Sequence, residues 1–78
     1  MGAGMERAAM ETPVEVDARG LRCPLPALRL ARAVRASGAA TYSLLADDPA
    51  AEADIPALCR ERGWQLLEAG GGRFLLRA

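Results

Sequence analysis

Asp17-Ala18-Arg19-Gly20-Leu21-Arg22-Cys23-Pro24-Leu25-Pro26 is the stretch on which the fold turns. Before it, Val14 and Val16 alternate with Glu15 and Asp17, the two-residue period of a half-buried strand. After it, from Pro24 to Ala36, apolar residues recur at helical spacing. The ten residues therefore join a strand to a helix, with the tight turn at Gly20. In that frame Cys23 is expected at the N-cap and Pro24 at the first helical position, where a missing N–H costs nothing. The free N–H groups and positive end of a helix favour thiolate over thiol, and Arg22 adds a cation, so Cys23 is the candidate nucleophile with an expected pKa below the ordinary value. Pro26 removes one donor that an N-cap side chain would normally receive. The Leu25 N–H then remains as the close donor, leaving a sulfur anion that is populated yet still transferable.

Working outward, residues 1–12 show no period and read as a mobile tail closed by Pro13, with alternative starts at Met5 or Met10. The first helix stops at Ser37-Gly38, and a second strand follows at Thr41 to Ala46. Asp47-Asp48-Pro49 is a turn, Asp54 is expected to cap a second helix from Ile55 to Arg62, and Gly63 ends it; Pro56 then falls in the first turn. Trp64 to Glu68 and Arg73 to Arg77 read as strands around a Gly70-Gly71-Gly72 tip. The order βαβαββ gives an α/β (α+β) two-layer sandwich. Both helices lie on one face of a four-stranded mixed sheet, within a single domain over residues 13–78. Its first two strands run parallel through a right-handed crossover.

Composition narrows the chemistry. The chain has 78 residues, ten basic and ten acidic, and every basic residue is arginine. Zero net charge and three aromatic residues argue against charge-driven nucleic-acid binding. No apolar run is long enough to span a membrane and no signal-peptide core is present, so a cytoplasmic protein is expected. Two cysteines 36 positions apart, with no histidine, form neither a Cys-x-x-Cys pair nor a zinc set, and exclude Cys-His hydrolase chemistry. Thiol exchange remains, for which cysteine alone suffices, so neither metal nor other cofactor is expected.

On the first helix, Ala27, Leu30, Ala31 and Val34 gather on one side and Arg29 and Arg32 on the other. Leu25 falls on the arginine side near Cys23. Leu25 and Arg32 lie about 20° apart on a helical wheel and roughly 10 Å apart along the axis, a stripe suited to a docking partner. Cys59 shares a side of the second helix with Ile55 and Leu58 and reads as structural. Asp47, Asp48, Glu52 and Asp54 contrast with the arginines of residues 19–35. Turn and cap chemistry accounts for Asp48 and Asp54, while the sharper reading makes the whole acidic stretch, Asp48 included, one side of a charge-divided rim that orients two partners, a donor and an acceptor, around one cysteine. These carboxylates lack the ligand count and spacing of a calcium loop.

Asp17-x-x-Gly20-Leu21-x-Cys23-Pro24-x-Pro26 resembles the signature of the small TusA/SirA-like sulfur-carrier proteins. Asp47-Asp48-Pro49 and Asp54-Ile55-Pro56 resemble a second block of that family. The resemblance covers Val14 to Ala78. It implies a two-layer domain whose motif cysteine, Cys23, carries sulfur as a persulfide; the richness in Ala, Arg and Gly without lysine points to a bacterial source, and the free carrier is expected to be a monomer. Asp17, Gly20, Leu21, Pro24 and Pro26 would shape that site, and Arg22, Leu25, Arg32 and Asp48 would meet partners. A cysteine desulfurase or other persulfide donor would supply the sulfur, and an acceptor protein would receive it. Thiolation of tRNA wobble uridine is the implied destination, with molybdenum-cofactor biosynthesis or sulfur oxidation as other routes. Arg32 stands where many relatives have lysine, which keeps the charge and changes the hydrogen-bond geometry. A regulatory or protein-binding module without sulfur transfer is the alternative.

Overall fold

The computed structural model describes residues 12–78; the expected tail and its alternative starts at Met5 and Met10 lie outside the described residues, Thr12 apart. The elements follow the expected order: β1 (Val14–Asp17), α1 (Leu25–Ser37), β2 (Thr41–Leu45), α2 (Ala51–Arg62), β3 (Gln65–Gly70) and β4 (Arg73–Arg77). The sheet is mixed, in spatial order β1-β2-β4-β3, with β1 parallel to β2 and β4 antiparallel to both its neighbours.

Register lines up the apolar alternation. Val16, Leu44 and Phe74 form one row across the sheet, and Val14, Tyr42, Leu76 and Leu66 form another. These rows pack with Leu30 of α1 and with Ala51, Ile55, Leu58 and Cys59 of α2 in one core. Both helices therefore cover the same face of the sheet, and the period-two pattern of the strands supplies the floor beneath them. The Tyr42 ring is fully buried, and its hydroxyl has no hydrogen-bond partner among the described residues. α1 stops where Gly38 takes the left-handed conformation (φ 70°) and returns its N–H to the Val34 carbonyl.

Boundaries of β2, α2 and β3 differ from the sequence reading. Strand β2 ends at Leu45, because the Ala46 N–H turns to the Gly72 carbonyl at 2.9 Å and ties the hairpin tip to the strand end. The tip itself is Gly71-Gly72, both at positive φ (60° and 80°), the arrangement that a two-residue hairpin turn of right-handed twist requires, so Gly70 joins β3. Helix α2 starts at Ala51, not near Asp54, because the Asp48 side chain accepts the Ala50 N–H at 3.0 Å and the Asp48 carbonyl accepts the Ala51 N–H at 2.9 Å. Pro56 thus lies inside the helix and not in its first turn as the later start implied. Trp64 stays outside β3: its N–H goes to the Cys59 carbonyl at 2.8 Å, and its ring packs against the core. Within β3 the register skips Leu67, which bulges outward and is 38% exposed.

Candidate functional site

Between β1 and α1 the chain makes a turn at Ala18-Arg19-Gly20-Leu21, closed by the Leu21 N–H on the Ala18 carbonyl at 3.2 Å. Gly20 occupies its third position at φ 84°, a conformation that strains any residue with a Cβ. Asp17 braces the turn. Its carboxylate accepts from the Arg19 backbone N–H at 3.1 Å and from the Arg19 guanidinium at 2.9 Å, bonds that bring its pKa down to about 2. The Arg29 guanidinium reaches back from α1 to the Asp17 carbonyl at 3.1 Å, so this arginine anchors the strand end as well as facing solvent.

The turn delivers Cys23 to an exposed position, held from the far side by the acidic block that follows β2. Asp47 accepts the Gly20 N–H at 2.9 Å and Asp48 accepts the Cys23 N–H at 2.7 Å. Asp48 so spends one oxygen on the cysteine loop and the other on starting α2. Its carboxyl pKa is lowered, first by the bond from Cys23 and then by that from Ala50. The Cys23 thiol donates to the Asp54 carboxylate, which projects from the first turn of α2. Two sequence blocks some 25 to 31 positions apart thus close on one cysteine, Asp48 at its N–H and Asp54 at its sulfur.

This geometry corrects the activation expected of Cys23. The cysteine is not the N-cap and Pro24 is not the first helical residue: Pro24 holds the N-cap position, Leu25 begins α1, and Pro26 is its second residue. The Leu25 N–H, expected near the sulfur, donates to the Arg22 carbonyl at 2.7 Å. With no helix N–H spent on it, the thiol faces carboxylates. Its pKa is raised, by the hydrogen bond to Asp54 first, then by desolvation and by the charges of Asp54 and Asp48. The charge of Arg22 helps to lower the Asp48 carboxyl pKa. Asp54, expected as a helix cap within the acidic stretch, instead accepts from the Cys23 thiol, a contact that the sequence reading missed. The second acidic block carried the signal, but the distance along the chain hid the contact.

The remaining expected site residues gather around this loop. Leu21 is half-buried against the core and, with Leu25, Leu28, Arg29 and Arg32, lines a shallow concavity of about 210 Å³. Leu25 and Leu28 are 47% and 57% exposed, so the expected stripe of Leu25 and Arg32 gains Leu28. Pro26 is buried. Leu21 also borders a second concavity with Gly20, Arg22, Asp47, Asp48 and Pro49. The last three continue into a third, of about 500 Å³, flanked by Glu52 and the glycine tip. Basic and acidic walls therefore meet at the Cys23 loop. Cys59 is 2% exposed, and burial pushes its thiol pKa up. Among the described residues, no group of three or more His, Cys, Asp or Glu side chains could hold a metal ion, and no helix is long and apolar enough to cross a membrane.

Comparison with known proteins places this arrangement. A protein of Archaeoglobus fulgidus, provisionally described as a sulfur carrier protein, is 46% identical to the chain over 55 residues, which are 69% of this chain and 71% of that protein. The family model described as Sulfurtransferase TusA matches residues 14–77, from the first residue of β1 to the last of β4. This likeness supports a sulfur-carrier role, and the chain belongs to the TusA sulfurtransferase family.

Proposed function

We propose that Cys23 is the residue that bears the sulfur. The observation that supports this most is the contrast between the two thiols: Cys23 is exposed on a loop gripped by both motif blocks, while Cys59 is sealed in the core. The Cys23 thiolate attacks the terminal sulfur of a donor persulfide. A new S–S bond forms, the donor's own S–S bond breaks, and the donor leaves as a thiolate, so a sulfane sulfur moves with no net oxidation. Cys23-S-SH then yields that sulfur to an acceptor. Asp17 and Gly20 fix the turn, Asp48 holds the backbone of the cysteine, and Leu21, Pro24 and Pro26 set the entry into α1.

A cysteine desulfurase or similar persulfide donor is the proposed source, docking on Leu25, Leu28, Arg29 and Arg32. A downstream protein is the proposed acceptor, approaching the acidic wall of Asp47, Asp48 and Glu52, and tRNA 2-thiouridine formation in the cytoplasm is the proposed destination. Residues 13–78 act as one carrier domain. Cys23→Ser carries the test: after incubation with a cysteine desulfurase and cysteine, intact-protein mass spectrometry should show one added sulfur on the wild type and none on the variant. The variant should keep its melting temperature, since a serine hydroxyl at this place can still donate to Asp54. Sulfur on Cys59, or loading that survives the substitution, would sink the assignment.

A further inference from the structure

We propose that Asp54 sets the specificity of sulfur release: with Asp48 beside it, it makes loaded Cys23 yield its sulfur to an acceptor that brings positive charge and withhold it from neutral or anionic thiols. This rests on the reading that Cys23 carries the sulfur. In release, the acceptor thiolate attacks the outer sulfur of Cys23-S-SH and a new S–S bond forms. The inner S–S bond breaks, and its electron pair stays on the Cys23 sulfur, which departs as a thiolate and then takes a proton from water. The oxidation state of the transferred sulfur is unchanged.

Negative charge therefore appears on a sulfur that already faces a carboxylate. Asp54 of α2 accepts from that sulfur, and Asp48, from the loop before α2, accepts from the Cys23 backbone. Of the nearby cations, Arg19 is engaged by the Asp17 carboxylate and Arg29 by the Asp17 carbonyl, while the charge of Arg22 acts on Asp48. A leaving sulfur of high proton affinity departs slowly, and one that emerges beside two carboxylates departs more slowly still. A small anionic thiol meets the further penalty of approaching a wall that includes Asp47 and Glu52. A cation on the acceptor, set against Asp54 and Asp48, offsets both costs. For a carrier that crosses a solution full of small thiols, retention until the correct partner arrives is a functional property and not a defect of reactivity.

The test uses the full chain loaded with glutathione persulfide, freed of excess reagent and challenged at matched thiolate concentration with three thiols: glutathione (anionic), 2-mercaptoethanol (neutral) and cysteamine (cationic). Mass spectrometry follows the sulfur retained. Wild type should lose it fastest to cysteamine and slowest to glutathione, with the spread narrowing in high salt. Asp54→Asn should leak about threefold to tenfold faster to 2-mercaptoethanol, with the three rates drawn together, while Asp54→Glu, which keeps the charge, should preserve the wild-type order. Circular dichroism and melting temperature establish that both variants fold. If folded Asp54→Asn leaks at the wild-type rate with the same order, the proposal is overturned while the carrier reading stands. If wild-type Cys23 takes up no sulfur from glutathione persulfide or from a desulfurase, both fall.

Discussion

A carboxylate that accepts a bond from a thiol stabilises the protonated form, so Cys23 should be a slow nucleophile at neutral pH in the free carrier. Its raised pKa keeps the proton on sulfur as pH climbs past the usual thiol range. The rate of alkylation by iodoacetamide should accordingly rise with pH to a midpoint above the ordinary value of about 8.5. Asp54→Asn should move that midpoint down; a wild-type midpoint at or below the ordinary value contradicts the carboxylate's hold on the thiol. That Cys23 sits between a strand and a helix was legible in ten consecutive residues. Its proton affinity was not, because it depends on a residue 31 positions away whose local sequence reads equally well as a helix cap. Tyr42 gives a second residue-scale expectation. A buried hydroxyl without a partner carries its desolvation cost uncompensated, so Tyr42→Phe should raise stability by about 1 kcal/mol in urea unfolding, and a loss of that size would reveal a partner for the hydroxyl.

At the level of elements, α1 was readable because its apolar stripe and its Gly38 stop are local signals. The start of α2 was misread because neither competent carboxylate caps it: Ala50 is the N-cap without a side-chain bond, Asp48 holds the Ala50 N–H ahead of the helix, and Asp54 accepts from Cys23. The glycine tip was legible as a turn but not as a contact. A Cβ on Gly72 would lie 2.7 Å from the Ala46 carbonyl oxygen at a φ of 80°, so the hairpin cannot seat itself against β2 with any larger residue there. Gly72→Ala should cost about 1–2 kcal/mol in chemical denaturation, whereas an unchanged midpoint would show that the tip lifts away freely. On the exposed side of α1, Leu25→Glu and Arg32→Glu should each slow loading from a desulfurase severalfold, the arginine change being the more sensitive to salt. Neither should alter alkylation of Cys23. Equal loading rates at all ionic strengths would reduce the stripe to a solvated face.

For the molecule as a whole, the element order and the two-layer architecture followed from periodicity, the βαβ connection and the glycine turn. The position of β4 did not: a hairpin pattern pairs β3 with β4 but leaves open which of them meets β2. Burial decides it, since Phe74 and Leu76 are nearly closed to solvent while no residue of β3 is fully buried. The strand that follows all the others in the chain is thus an inner one, with Leu44 on one side and Ala69 on the other facing Phe74. A nascent chain that has already made β1, α1, β2 and α2 holds a sheet of two strands, and β3 has nothing to pair with until Arg73 to Arg77 emerge. Synthesis therefore runs ahead of folding here: the sheet whose strand ends carry the Cys23 loop and the acidic block is complete only when the hairpin closes on Ala46. An interrupted translation product would leave an accessible thiol on a chain without a finished core, a substrate for proteolysis and not a partial carrier.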